Sequence, residues 1–301
     1  INLEAWLLLS LAAAFFQNLR NSLQKSINTV LSTSGAAYTR FLFGLPLAIV
    51  YWIILRYYDP QPLNWGAQFF AFSIVGGVAQ VIAMWLLLRS FHLKSFAVGT
   101  AYSKTETLQT ALFTIIILGE AITGVTFIAI LISFVGVCLL SLAKFSFDPK
   151  ELLFSWTQKG PLMGLGNGVL LGLSAVSYRG ASLSLDSDNL ILSASATLFV
   201  ALTIQVLVMT IYLYFYEKGQ LKLVWKYKLR GSLVGLLGML GSVGWFTAMA
   251  LQNAAYVRAV GQVELIFTFL TSVIVFKEKV TVNEVFGTVL IVGGILVLLF
   301  G

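Results

Sequence analysis

Ten apolar runs, each roughly twenty residues long, follow one another along this chain, and they limit its fold more than any other feature. A bilayer's hydrocarbon core is about 30 Å thick, a depth that about 20 helical residues cross. Backbone polar groups inside it must be satisfied within a helix or a closed barrel. The runs fall at 5–26, 35–55, 67–88, 95–118 and 122–142, then at 161–183, 190–214, 233–251, 254–276 and 281–300. Barrel strands would be shorter and would alternate. Of the 301 residues 58% are hydrophobic and 10% charged, where a soluble domain carries about a quarter charged. The sequence therefore predicts an all-α integral membrane protein with ten transmembrane helices.

Several function classes are excluded early. The net charge is +7, but Lys218, Lys222, Lys226, Lys228 and Arg230 stand in a connection between runs, where the partner is the lipid bilayer and its headgroups rather than nucleic acid. Cys138 is the only cysteine, so no intrachain disulfide and no cysteine metal or redox pair is expected. His92 is also alone, at a helix end, which favours a surface or capping role. Gly-x-Ser-x-Gly, His-Glu-x-x-His, Cys-x-x-Cys and P-loop patterns are missing from the sequence. No catalytic residue, metal or cofactor is expected, and no ATP-driven pump within this chain. The first run carries Arg20 and Lys25 and lacks a small-residue cleavage site, so it does not read as a signal peptide.

Sliding the sequence by 158 positions lays Glu106 on Glu264, Glu120 on Glu278, Thr123 on Thr281 and Gly136 on Gly294. Residues 1–143 and 161–301 thus form two five-helix repeats joined by 144–160. Five is odd, so the second repeat crosses in the opposite sense, the inverted arrangement of many secondary transporters. The end of each half, LFTIIILGEAITGVTFIAILISFVGVCLL after Glu106 and FKEKVTVNEVFGTVLIVGGILVLL after Glu264, resembles the drug/metabolite transporter superfamily, in particular its ten-helix EamA-type permeases. Arg40 resembles a recurrent arginine of that family. Many members carry Glu-Pro where this chain has Glu106-Thr107 and Glu264-Leu265, so the proline that would break the helix is missing here.

Ionised groups inside a span need a cavity or a partner. Glu106 and Glu264 fall near the middle of the fourth and ninth runs, and Gly99, Tyr102, Glu106, Gln109 and Phe113 share one helical face. Each carboxylate can bind a cationic group of a substrate, carry a coupling proton, or hydrogen-bond neighbouring helices. Lys104 points away from Glu106. Its repeat mate Gln262 shares a face with Arg258, which stands near a helix end where snorkelling is the alternative. Lys104 is the deeper cation. Gln80, Trp85 and Trp245 are further cavity-wall candidates, with packing or interface anchoring as the alternative. Gln17 in the first helix and Tyr178 in the sixth stand on polar stretches that suit substrate binding, gating or pairing with the opposite repeat, or an interface-anchored helix end. Glycine spacing in GPLMGLGNGVLLG and GSLVGLLGMLGSVGW fits close helix approach.

Together these features point to a secondary transporter of a small polar organic metabolite, an amino acid or related zwitterion, by alternating access in a bacterial-type inner membrane. Protons are a candidate coupling ion, and the chain acts as a monomer or homodimer. A nucleoside-type substrate such as S-adenosylmethionine and a non-transporting receptor or scaffold are the alternatives. The positive-inside rule, read literally, puts both termini outside, whereas the resemblance implies cytoplasmic termini.

Overall fold

The computed structural model describes residues 3–90, 102–142, 158–274, 277 and 280–300, and every regular element among them is helical. In chain order these are α1 (Leu3–Ile27), α2 (Thr33–Tyr58), α3 (Ala67–Ser90), α4 (Glu106–Leu118), α5 (Gly124–Leu142) and α6 (Lys159–Leu183). There follow α7 (Leu190–Tyr216), α8 (Gln220–Lys226), α9 (Lys228–Leu251), α10 (Ala254–Gly261), α11 (Val263–Ile274) and α12 (Val282–Phe300). Six of these, α2, α3, α6, α7, α9 and α12, are long and apolar enough to cross a membrane, while α4 and α5 are shorter apolar helices. The ninth run, expected as one helix, is α10 and α11 separated by a turn at Gln262. His92, the start of the fourth run with Gly99, the connection at 143–157 and Glu278 lie outside the described residues.

Local chemistry fixes the helix ends. Ser32 Oγ accepts from Gly35 N–H at 3.0 Å ahead of α2, and Asn189 Oδ1 accepts from Ile191 and Leu192 N–H ahead of α7. Thr281 opens α12 with a reciprocal capping box: its Oγ1 accepts from Glu284 N–H at 3.3 Å, and Glu284 Oε2 accepts from Thr281 N–H at 2.8 Å. Thr123, its repeat mate, accepts from Thr126 N–H at 3.2 Å at the start of α5. The repeated threonines are therefore helix caps. Gly119 closes α4 with φ +66°, a left-handed conformation that suits a residue without Cβ, and the N–H of Glu120 reaches back to Thr114 O at 3.3 Å.

The helices gather into two compact units, Ile1–Val81 with Ser177–Gln252, and Ile82–Val176 with Asn253–Gly301. Each draws on both sequence halves. In the first, α9 packs against α1, α2 and α7. Gly235 rests against the backbone of Phe43 and Gly44, and Gly244 against Leu9 O and Ala13, where an added Cβ would come within 3.0 Å. A second contact layer joins Phe69, Ala181, Leu185 and Ala196, with Trp52 stacked on Phe199 at 5.3 Å.

In the second unit α5 and α12 form the main helix pair. A Cβ on Gly136 would meet Gly287 O at 2.6 Å, one on Gly287 would meet Gly136 O at 2.7 Å, and one on Gly294 would meet Ala129 O at 2.8 Å and Ser133 Oγ. Numbers rise along one helix as they fall along the other, so the pair is antiparallel. Gly136 and Gly294 are repeat mates, as are Ala129 and Gly287, so the contact is made twice with the helices exchanged. Small residues allow this approach where hydrocarbon offers no hydrophobic drive to associate. Large apolar side chains such as Ile53, Ile116, Ile128, Leu207, Ile211 and Val289 remain exposed. On a soluble protein that surface would be a liability, whereas in a bilayer it faces its own solvent.

Candidate functional site

Inside the second unit, Glu106 opens α4 and Arg258 stands on α10, and their side chains form an ion pair. Glu106 is 6% exposed. Its burial follows from α6: Cβ atoms on Gly168 and Gly172 would crowd Glu106 N at 3.2 Å and Glu106 O at 3.3 Å, so only glycine lets α6 lie this close to α4. The pairing offsets two charges that would each be costly alone in a low-dielectric interior. Asn253 Oδ1 caps α10 by accepting from Ala255 N–H at 2.9 Å, and Thr126 Oγ1 donates to Tyr256 OH at 2.7 Å, tying α10 to α5.

Both carboxylate-bearing runs are interrupted just before the acid. Around Lys104 and Thr105 the backbone tightens, with Thr105 N–H bonded to Tyr102 O at 3.2 Å, and the Thr105 hydroxyl donates to the same carbonyl at 2.6 Å. Gln109 Nε2 donates to Thr105 Oγ1 at 3.0 Å. At the matching place in the other half, Gln262 N–H bonds Ala259 O at 3.2 Å and Gln262 Nε2 donates to Arg258 O at 3.3 Å. Side chains that hydrogen-bond to nearby backbone groups interrupt a helix without proline. Glu264 follows the second break and is half-buried. Lys104 lies in the first break, ahead of α4, is half-buried, and makes no ion pair among the described residues.

The first unit has a different polar interior. Gln205, on α7 and 2% exposed, donates from Nε2 to Tyr178 OH at 2.9 Å and to Gln80 Oε1, while Tyr178 OH donates to Gln80 Oε1 at 3.0 Å. The Tyr178 ring lies 4.4 Å from that of Phe246. Trp245 Nε1 donates to Gln17 Oε1 at 3.0 Å, joining α9 to α1. Arg179 donates to the carbonyls of Met249 and Gln252, both at 2.6 Å, and so caps the carboxyl end of α9. Trp85, in the second unit, faces Arg89 at 4.5 Å from its ring centroid, close to the end of α3.

The twelve candidate residues thus divide by unit. Tyr102, Lys104, Glu106, Gln109, Trp85, Arg258, Gln262 and Glu264 belong to the second, and Gln17, Gln80, Tyr178 and Trp245 to the first. Arg258 does not point to the lipid surface. Gln205 was not among the candidates, although a lone amide in the apolar run TLFVALTIQVLVM carries the signal that would have found it.

Stacked apolar helices with an acid–base pair sealed among them define a multi-pass integral membrane protein. The sequence matches the EamA-like transporter family over residues 4–142 and again over 158–300, so the chain belongs to that family, within the drug/metabolite transporter superfamily. A crystal structure of another protein superposes on 97% of this chain and 94% of its own, with a TM-score of 0.73 at 16% identity, which shows a shared fold. No curated relative matches the sequence.

Proposed function

We propose that the chain is a secondary active transporter that exports or exchanges a small polar organic metabolite, an amino acid or related zwitterion, by alternating access between two inverted five-span repeats in a bacterial-type inner membrane. The observation that carries this reading is the buried Glu106–Arg258 pair, flanked by helix breaks at equivalent places in both halves. An acid and a base held together inside hydrocarbon match the two ends of a zwitterion. A solute that replaces one partner of the pair, or a proton that neutralises Glu106, releases the other. Broken helices supply the local freedom that such an exchange needs. The twofold exchange of contacts between the antiparallel α5 and α12 supports the inverted relation of the repeats.

The test is counterflow of radiolabelled amino acids in proteoliposomes, with Glu106→Gln and Glu264→Gln as variants. Transport is expected to fall at least tenfold in Glu106→Gln and to change its pH dependence. Flux that is unchanged in both variants across pH would remove the carboxylates from the mechanism.

A further inference from the structure

We propose that the first unit contains an oxyanion site formed by Arg40 and Arg20, and that the metabolite presents a carboxylate or phosphate to it; this rests on the transporter reading above. The two arginines stand at one level of a helical hairpin. Arg20 lies seven residues before the end of α1 and Arg40 seven after the start of α2, so each is about 10 Å from the connecting turn at 1.5 Å per residue. Helix α9 meets them at Gly238, where a Cβ would touch Arg20 Cδ at 3.4 Å and Arg40 Cβ at 3.5 Å. Both stems therefore close over one glycine.

A guanidinium keeps its proton in a protein, so this arrangement sets two positive charges beside one another at membrane depth. Among the described residues the unit supplies Arg40 with no counter-charge. Its acidic residues, Glu4, Asp59, Asp186, Asp188 and Glu217, all stand at helix ends or in connections, and three of them are engaged there by Asn189, Asn64 and Ser32. Arg20 is held by donating to Asn21 Oδ1 at 2.7 Å. Among the described residues Arg40 has no hydrogen bond and no ion pair, and its guanidinium carbon lies 4.5 Å from the ring centroid of Phe41. Its planar fork is the geometry that carboxylate and phosphate accept bidentately. One turn along α9, Gly241 packs near Gln17, whose amide oxygen is already taken by Trp245, so the neighbouring groups are neutral and do not compete for the anion.

The experiment is thermal unfolding of the purified full chain in detergent, titrated with L-alanine, L-glutamate, succinate and inorganic phosphate, and with alaninamide and ethanolamine, which lack an oxyanion. At least one oxyanion probe is expected to raise the unfolding temperature saturably while the two controls do not. Arg40→Gln should weaken that probe at least tenfold, and Arg40→Lys, which keeps the charge but loses the fork, about threefold. No stabilisation of the wild-type chain by any oxyanion probe overturns the proposal, as does unchanged affinity in Arg40→Gln. If Arg40→Gln does not fold, unchanged affinity in Arg40→Lys overturns it equally. Counterflow of the same probe separates this claim from transport itself. Flux indifferent to Arg40 keeps the transporter and removes the site, whereas Arg40-dependent binding without flux keeps the site and removes the transporter.

Discussion

Glu106 and Arg258 meet inside the second unit as acid and base, whereas the polar interior of the first unit includes the neutral triangle of Gln80, Tyr178 and Gln205. Each solution is stable for a different reason. A charge pair in a low-dielectric interior holds only while both members are present, because either one left alone pays the full desolvation cost. The Gln80–Tyr178–Gln205 triangle has no charge to desolvate and loses only the worth of its bonds when it is cut. Buried polarity of similar extent thus carries very different stakes: the ion pair depends on both of its members, the neutral triangle only on its bonds.

Removing one charge should break the contrast most strongly. Arg258→Ala strands Glu106 and is expected to destabilise the protein by about 3–5 kcal/mol, while the double variant Glu106→Gln with Arg258→Met recovers most of that loss. Chemical unfolding of detergent-solubilised protein reads both, and a single variant that costs under about 1 kcal/mol would show the pair to be structurally idle. A smaller effect is expected at Arg179, where a charged donor serves helix ends instead of a carboxylate. Arg179→Met should cost about 2 kcal/mol by leaving the last carbonyls of α9 without their donor. Hydrogen exchange should then quicken at that end of α9 before it does elsewhere. Smallest is Tyr178→Phe, which keeps the ring on Phe246 and the bond between the two amides but deletes the hydroxyl, for about 1 kcal/mol in the same unfolding assay. If Tyr178→Phe proved as damaging as Arg258→Ala, the distinction between the charged pair and the neutral triangle would fail.

Much of the scaffold could be read directly. The run at 190–214 is α7 over Leu190–Tyr216, and the run at 35–55 is α2 over Thr33–Tyr58, because length and hydropathy alone decide what hydrocarbon accepts. The repeated Thr123 and Thr281 become helix caps, and the repeated Gly136 and Gly294 become points of close approach, in both cases through local or small-residue chemistry that spacing reveals. The site was less legible. Proximity to a helix end made Arg258 a candidate for snorkelling, yet it turns inward to Glu106 on another helix, a pairing no periodicity along one segment encodes. The breaks before Glu106 and Glu264 also escaped, because without proline they depend on hydrogen bonds of Thr105 and Gln262 that compete with the helix only marginally.

The sequence by itself determined the solvent, the helical class and the twofold duplication, since these follow from the cost of exposing backbone polar groups to lipid and from a repeat written in the residues. Tertiary structure decided which charges meet and which remain unmatched. Inside hydrocarbon every helix surface is nearly equally acceptable to its surroundings, so partner choice is settled by where glycines let backbones touch and by which buried charge comes within reach of another. Those are distances between segments far apart in the chain, and only the folded molecule sets them.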